Sequence, residues 1–213
     1  MTMARLFITG DIQEDESLPG YLIRLSHANG VRPSLLTNLT GLPIGYEHRS
    51  SGFLQLASLS GSDPEVLRRA SFAPEGGYEG SRFNGSSLSR RHLVTDGARV
   101  CPECVKERGY LDRLWHLRAF AACHRHQLLL IDRCKACARP IQWQRRKLDR
   151  CDCGHVFERG GRAPEWLVEY TQPPNWMSPV NGAGCRRPDE LEVPHQTLDV
   201  WRNLHRLTTS ATL

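Results

Sequence analysis

Apolar positions recur at helical spacing near the start of the chain. Leu18, Leu22 and Leu25 lie three to four residues apart, and Gly30 can end the segment, which predicts a first helix. Pro33 predicts the first turn of a second helix, because proline fits the first helical position, and the apolar run that follows closes at a glycine and a proline. The pattern therefore predicts a small helical region at the start of the protein.

A third short helix is predicted after Asp63, which can cap a helix start, and Pro64, which suits its first turn. We expect this helix over Glu65 to Phe72. Two short helices joined by a turn that contains glycine are compatible with a helix-turn-helix. An ordinary small helical bundle fits the same pattern, and the sequence alone favours it, since no stripe of arginine or lysine marks one helix as a reader of a DNA groove.

The pattern changes after this helical region. Residues 75–98 are rich in glycine and serine, which is typical of a linker or a long surface loop. Further along, Leu198, Trp201, Leu204 and Leu207 recur every three residues and predict an amphipathic helix from His195. The apolar face of such a helix needs a partner surface.

Composition excludes a wholly disordered chain, because 39% of the 213 residues are apolar and the formal net charge is only +5. No stretch approaches the roughly 20 consecutive apolar residues that a membrane-spanning helix needs. Residues 1–10 contain a short apolar patch, without the long apolar region or the small-residue cleavage site of a signal peptide. We therefore expect a soluble intracellular protein with no membrane partner, in which cysteines stay reduced and bind metal rather than form disulfides.

Seven of the eight cysteines lie within residues 99–162, in pairs whose spacing is typical of zinc sites. A CxxC turn places two thiolates on one side of an ion, and a loop of one to two dozen residues returns the chain with a second pair of ligands. The spacing fits this scheme twice and predicts two structural Zn²⁺ ions. The first site takes Cys101, Cys104, Cys123 and His126, and the second takes Cys134, Cys137, Cys151 and Cys153.

Three histidines and one cysteine near these motifs have other expected roles. His124 is the rival of His126 in the first site, but the CxxH spacing favours His126. His155 is a less favoured replacement for a cysteine of the second site. We expect His116 to be packed beside Trp115 rather than bound to metal, and Cys185 to be a free thiol.

Other metal and cysteine chemistries fit the sequence less well. Neither CxxC has the strand-then-helix context of a redox dithiol. A catalytic zinc ion keeps an open coordination position, whereas both sites have four protein ligands. The HxE motif of zinc deaminases does not occur in the sequence, and no acid–base pair lies near either site. We therefore expect structural zinc and no enzymatic activity.

All of the excess positive charge lies within residues 99–162, which carry 15 basic and 7 acidic residues. Arginine supplies 25 of the 28 basic residues of the chain. Its planar guanidinium binds phosphate in a bidentate manner, which would explain the excess by nucleic-acid binding. A GC-rich coding sequence explains the excess equally well. The densest basic cluster lies between the two halves of the second site and predicts contacts with a nucleic-acid backbone, a solvated loop being the alternative. These candidate contacts are Arg139, Arg145, Arg146, Lys147 and Arg150.

Two sequence motifs resemble the TniQ family. The family's opening motif resembles Glu16-Ser17-Leu18, followed by Tyr21-Leu22-Ile23-Arg24-Leu25 and Asn29-Gly30. The family's zinc-binding core resembles Val100-Cys101-Pro-Glu-Cys104, Trp115, Cys123-x-x-His126, Leu128 and Cys134-x-x-Cys137. The core motif is the more specific of the two, since it chains three metal half-sites with a tryptophan between them, and the resemblance covers residues 14–158 in order.

The resemblance implies a role in DNA transposition. TniQ-like proteins, related to TnsD, link a target-recognition element to a TnsC-like AAA+ ATPase, which recruits the transposase. The recognition element is a Cas effector with its guide RNA in some systems and target DNA itself in others. We therefore expect a non-enzymatic, DNA-associated target-selection adaptor in the bacterial cytoplasm. The alternative is a stand-alone zinc-ribbon DNA-binding transcriptional regulator.

The expected fold class is a small α-helical plus zinc-ribbon protein. It has an N-terminal helical, helix-turn-helix-like domain (1–75), a linker (76–98), a tandem zinc-finger or zinc-ribbon module (99–162) and a C-terminal helical segment (163–213). Larger family members have a further helical half after the zinc core, whereas only residues 163–213 follow it here. The chain is thus either a compact form, with its last helix as a docking element, or a truncated one.

Overall fold

Four short helices form the N-terminal region of the computed structural model, which describes residues 5–42, 50–72, 81–83, 86–88 and 90–171. They are α1 (Leu18–Ala28), α2 (Pro33–Thr40), α3 (Ser50–Ser60) and α4 (Pro64–Arg69). The Ser17 hydroxyl accepts a hydrogen bond from the Gly20 amide at the start of α1, and Pro33 occupies the first turn of α2. Gly41 ends α2 with φ 65°, a left-handed conformation that favours glycine. The predicted helical N-terminal region is confirmed.

Two features of this region differ from the sequence prediction. The sequence pattern does not predict α3, because four of its eleven residues are serines, which are weak helix formers. The helix after Asp63 ends at Arg69 rather than Phe72, because the chain turns there onto the start of α1. The Leu18 amide donates a hydrogen bond of 3.1 Å to the Ala70 carbonyl, which fixes this turn.

The helices pack in sequence order, α1 on α2, α2 on α3 and α3 on α4. Their apolar faces meet in one core, so that tertiary packing rather than helix propensity stabilises these short elements. This core comprises Ile12, Leu18, Tyr21, Leu22, Leu25, Leu36, Leu42, Phe53, Leu56, Leu67 and Ala70.

A buried carboxylate, Glu16, pins α1 from just outside its N-terminus. It accepts hydrogen bonds of 2.9 and 2.7 Å from the Arg24 guanidinium and one of 3.0 Å from the Gln13 amide. Burial raises the pKa of Glu16, and the hydrogen bonds and positive charge of Arg24 oppose that shift. The pair explains why a glutamate and an arginine eight residues apart occur in one motif.

The start of α1 also contacts the second part of the chain. The Ser17 amide donates a hydrogen bond of 2.8 Å to the Leu111 carbonyl, and the Asp15 carboxylate forms an ion pair with Arg108. At Gly20 a Cβ atom would lie 2.9 Å from the Cβ atom of Leu111, so this approach requires glycine. These contacts connect the helical region to the cysteine-rich region that follows.

The second part of the chain contains short elements joined by turns. They are β1 (Ser81–Phe83), β2 (Ser86–Leu88), α5 (Pro102–Arg108), β3 (Ala122–Cys123), β4 (Leu128–Leu129), α6 (Glu165–Tyr170) and 3-10 turns at Arg90–His92 and Arg113–His116. β1 pairs antiparallel with β2, and β3 pairs antiparallel with β4, with Ala122 opposite Leu129. The β1–β2 pair lies within the segment that the sequence predicts to be a linker.

The core of this second part is built around cysteines. Ile23 of α1 packs into it from the helical region. The core comprises Ile23, Ala98, Val100, Cys101, Cys104, Val105, Leu111, Trp115, Cys123, Leu128, Cys134, Ile141, Trp143, Cys151 and Phe157.

Several predicted features fall on residues outside the described part of the chain. Cys185, the helix from His195 and all of the 163–213 segment after residue 171 fall outside the described residues. The four-part domain division and the helix-turn-helix and zinc-ribbon assignments stay predictions. Within the part of the chain that the structure covers, no helix is both long and apolar enough to cross a membrane.

We expect Glu16→Ala to lower the free energy of unfolding by about 2–3 kcal/mol, because it leaves the Arg24 guanidinium and the Gln13 amide without their buried acceptor. The matched control is Glu65→Ala, which removes an ion pair with Arg68 on the surface and should cost about 0.5 kcal/mol. Urea denaturation of both variants measures the difference. Equal losses would show that the buried pair does not pin α1.

Candidate metal centres

The first group of candidate ligands forms where α5 meets the β3–β4 hairpin. Cys101 precedes α5 and Cys104 lies in its first turn, since Pro102 starts the helix between them. Cys123 ends β3, and His126 lies in the turn toward β4. The three cysteines are at most 1% exposed. A helix start and a hairpin thus bring two sequence-distant pairs into one buried group.

The ligand atoms of this group have the separations of a tetrahedron around a metal ion. The Cys104 sulfur lies 3.5 Å from the Cys123 sulfur and 3.2 Å from Nδ1 of His126, and that nitrogen lies 3.6 Å from both other sulfurs. Sulfur and nitrogen ligands at about 2.3 and 2.0 Å from a zinc ion lie about 3.5–3.8 Å apart in a tetrahedral site. The group can therefore hold one metal ion.

A carboxylate orients the histidine of this group. Nε2 of His126 lies 3.0 Å from the Glu107 carboxylate, while Nδ1 faces the sulfurs. Metal-binding histidines commonly donate their second ring N–H to a carboxylate, which fixes the ring and its tautomer. The structure brings His126, and not His124, to the cysteines. Glu107 lies three residues after Cys104 on α5, a helical spacing from which the sequence could have indicated it.

The second group of candidate ligands is made of two tight turns. Cys134 and Cys137 lie in one turn, and Cys151 and Cys153 lie in the other, which Gly154 closes with φ 90°. The Cys134 and Cys153 sulfurs lie 3.6 Å apart, and the Cys137 and Cys151 sulfurs lie 3.8 Å apart. All four sulfurs lie within 4.8 Å of one another, so this group can also hold one metal ion.

The cysteines are thiols or thiolates, not disulfides. All seven described cysteines are free, and their closest sulfur pair, at 3.5 Å, is far longer than the roughly 2.05 Å of a disulfide bond. Hydrogen bonds that the Cys104 thiol donates to the Cys101 and Cys123 sulfurs, together with burial, raise the pKa of Cys104. Thiolates at this spacing would repel one another unless a cation lay between them.

His116 has a packing role, as the sequence predicts, but the ring on which it stacks is that of Trp143 rather than Trp115. It is fully buried and stacks on the ring of Trp143, with centroids 4.4 Å apart and planes 11° apart. Burial, aided by the positive charge of Arg145, lowers the pKa of His116 to about 3. The imidazole is therefore neutral, and it belongs to neither group of ligands.

The five basic residues proposed for nucleic-acid contact do not share one surface. Residues 141–146 alternate between buried and exposed, so that Arg145 points inward with Ile141 and Trp143, while Arg146 points outward. Arg145 is 1% exposed and cannot reach a nucleic-acid backbone, which corrects that prediction. The sequence shows a run of adjacent charges and does not reveal this alternation. The inward-facing apolar residues before the run are separated by glutamines, so they form no continuous apolar stretch.

The other basic residues of the set differ in their partners. Arg139 is exposed, and its interaction with the Cys137 sulfur raises the pKa of the guanidinium. Arg150 forms an ion pair of 2.9 Å with Asp149. Arg146 is exposed and Lys147 is half-buried, and neither forms an ion pair with any acid in the described part of the chain.

The buried Arg145 guanidinium lies beside the second group. Its Nη1 donates a hydrogen bond of 2.8 Å to the Gln142 carbonyl, whereas Nε and Nη2 have no hydrogen-bond partner among the described residues. Burial lowers the pKa of Arg145 to about 10, against the opposing charges of Asp152 and Cys151, so it stays protonated at neutral pH. Arg145 lines a cavity of about 140 Å³ together with Arg139, Cys151 and Asp152.

This placement has an electrostatic consequence for the second group. A divalent cation with four thiolates carries a net charge of −2, which is costly to bury without compensation. Arg139 and Arg145, which line the same cavity beside Cys151, supply two positive charges next to it. The arginines thus offset the charge that the second group would have with its metal.

Comparison with known proteins adds one finding. The TniQ family model matches residues 7–130, a segment that contains the Glu16–Arg24 pair and the whole first group of ligands. The second group lies after the matched segment. No curated protein matches the chain.

We expect Arg145→Met to weaken metal binding at the second group by roughly tenfold to a hundredfold, because it removes a buried positive charge beside the thiolates. Competition with a chromophoric chelator measures the affinity. The control is Arg146→Met, a change at the exposed neighbour, which should leave the affinity unaltered. An Arg145→Met protein that keeps full metal affinity and becomes more stable would show that Arg145 is an uncompensated buried charge.

Proposed function

This chain belongs to the TniQ family, whose model matches more than half of it, and from that premise we propose that it is a target-selection adaptor in DNA transposition. The proposed adaptor is not an enzyme. It links a target-recognition element to a TnsC-like AAA+ ATPase, which recruits the transposase. The recognition element is a Cas effector with its guide RNA, or target DNA directly. Such an adaptor works on DNA in the bacterial cytoplasm.

The observation that carries this proposal is the family match, which marks a transposition-associated protein. The geometry supports an adaptor rather than a catalyst, because each metal group supplies four protein ligands and leaves no coordination position for a substrate. The contacts from Asp15 and Ser17 to Arg108 and Leu111 join the helices to the first group. Because these contacts hold the helices and the first group together, both can contribute to one surface that binds partner proteins.

We propose Zn²⁺ as the ion in both groups. The first group would use Cys101, Cys104, Cys123 and His126, and the second would use Cys134, Cys137, Cys151 and Cys153. Three or four thiolates in a tetrahedron are the ligand set that zinc prefers in structural sites. The ions would hold the short turns in place and supply no reaction chemistry.

A second candidate function is a stand-alone zinc-ribbon DNA-binding transcriptional regulator. The exposed side chain of Arg146 and the half-buried Lys147 favour it, because neither basic group forms an ion pair with an acid in the described part of the chain. A regulator would bind its own site on duplex DNA tightly without any partner protein. An adaptor would bind the ATPase and contact DNA weakly or without sequence preference.

We expect the purified protein to bind the TnsC-like ATPase encoded in the same locus. The ATPase is first assembled on DNA in the presence of a non-hydrolysable ATP analogue, and the protein is then added. Co-sedimentation with these assemblies measures the association. The matched control is the protein stripped of metal by a chelator, which should lose binding because the turns that carry both groups lose their shape. The adaptor hypothesis would be rejected in favour of the regulator if the protein did not associate with the ATPase, with or without DNA, and bound duplex DNA tightly and with sequence specificity.

A further inference from the structure

A groove of about 540 Å³ runs between the start of α2 and the turns of the second group. One wall comes from the helical region and the other from the cysteine-rich region, more than 100 residues later in the chain. The lining residues are Arg32, Ser34, Gln144, Arg146, Lys147, Arg150, Cys151, Asp152 and Gly154. Sequence analysis indicates only the second wall, because nothing in the sequence pairs α2 with residues 144–154.

The groove is positively charged on both walls. Arg32 and Arg146 are exposed, and neither forms an ion pair with an acid among the residues that the structure describes. Lys147 adds a third positive charge, while Arg150 is already engaged by Asp149. Asp152 is the acidic residue of the lining. The groove lining therefore contains more cations without an ion pair than acidic residues.

The metal of the second group does not cancel this charge. With its ion that group would carry a net charge of −2, but Arg139 and Arg145 line a cavity together with Cys151, and their positive charges offset it. Both arginines line the separate cavity of about 140 Å³ rather than the groove. The groove cations thus remain available to an external anion.

The start of α2 adds to the same field. Arg32 is the residue just before the helix, and its side chain makes no capping hydrogen bond. The N-terminus of a helix carries a partial positive charge and attracts anions, although this effect alone does not define a site. Here it acts together with side-chain cations from both walls.

We propose that this groove binds the phosphate backbone of one strand of duplex DNA, with Arg32 holding it from the α2 side and Arg146 and Lys147 from the other. Arginine forks and a lysine in an open groove suit phosphodiester oxygens, whereas base reading would require a side chain that enters a DNA groove. The choice of DNA as the occupant rests on the proposed role in transposition. The anionic character of the occupant rests on the groove alone.

The test compares Arg32→Ala, Arg146→Ala and the double variant with Arg91→Ala, a control at an exposed arginine outside the groove. Binding of the full-length metal-loaded chain to a labelled duplex of arbitrary sequence is followed by fluorescence anisotropy over a series of salt concentrations. Each groove variant should weaken binding roughly fivefold at about 0.15 M salt and lower the salt slope by about one. The fold loss of affinity in the double variant should equal the product of the two single losses, and Arg91→Ala should bind as the unaltered protein does.

Metal content and the thermal unfolding midpoint establish that the variants are folded. Groove variants that bind duplex DNA as tightly as the unaltered protein would overturn the proposal. So would variants that lose binding only to a single-stranded RNA of equal length, or only to the ATPase, since the groove would then hold RNA or an acidic protein surface. If the groove variants lose DNA affinity while the unaltered protein never binds the ATPase, the groove stands and the adaptor function falls.

Discussion

Two clusters of thiols and one imidazole, each able to hold a cation by its attraction to thiolates, are the constraint on which the rest of the structure depends. Seven sulfurs and one imidazole nitrogen lie in two groups, each compact enough to surround one ion. The hydrogen-bonded strands near them are only two residues long, β3 and β4, and cannot hold this part of the chain together by themselves. Five of the sulfurs belong to the larger apolar core, so the candidate metal sites and this core are built from the same residues.

The helical region depends on the same centre. α1 places Ile23 among the buried cysteines, and the Asp15–Arg108 ion pair fixes its start against α5. The Glu16–Arg24 pair then holds the chain entering α1 in position. The segment that matches the family therefore links a helical surface to the turns of the first ligand group, and the groove lies between α2 and the turns of the second ligand group.

The sequence carries information about local geometry and much less about tertiary partners. The starts of α1 and α2 and the grouping of the eight ligands follow from capping residues and CxxC spacing, which act over a few residues. α3 escapes prediction because packing rather than propensity forms it, and the end of α4 is set by a hydrogen bond to α1. Arg145 and Arg146 are chemically alike and adjacent, yet only tertiary structure decides that the first is buried and the second exposed.

The most direct test of this dependence is the metal content of the purified chain, combined with X-ray absorption at the zinc edge. We expect two zinc ions per chain, bound on average by seven sulfurs to one nitrogen across both sites, with zinc–sulfur distances of about 2.3 Å. Fewer than two tightly held ions, or sulfur atoms bonded to each other in a folded protein, would contradict the role that the cations have here.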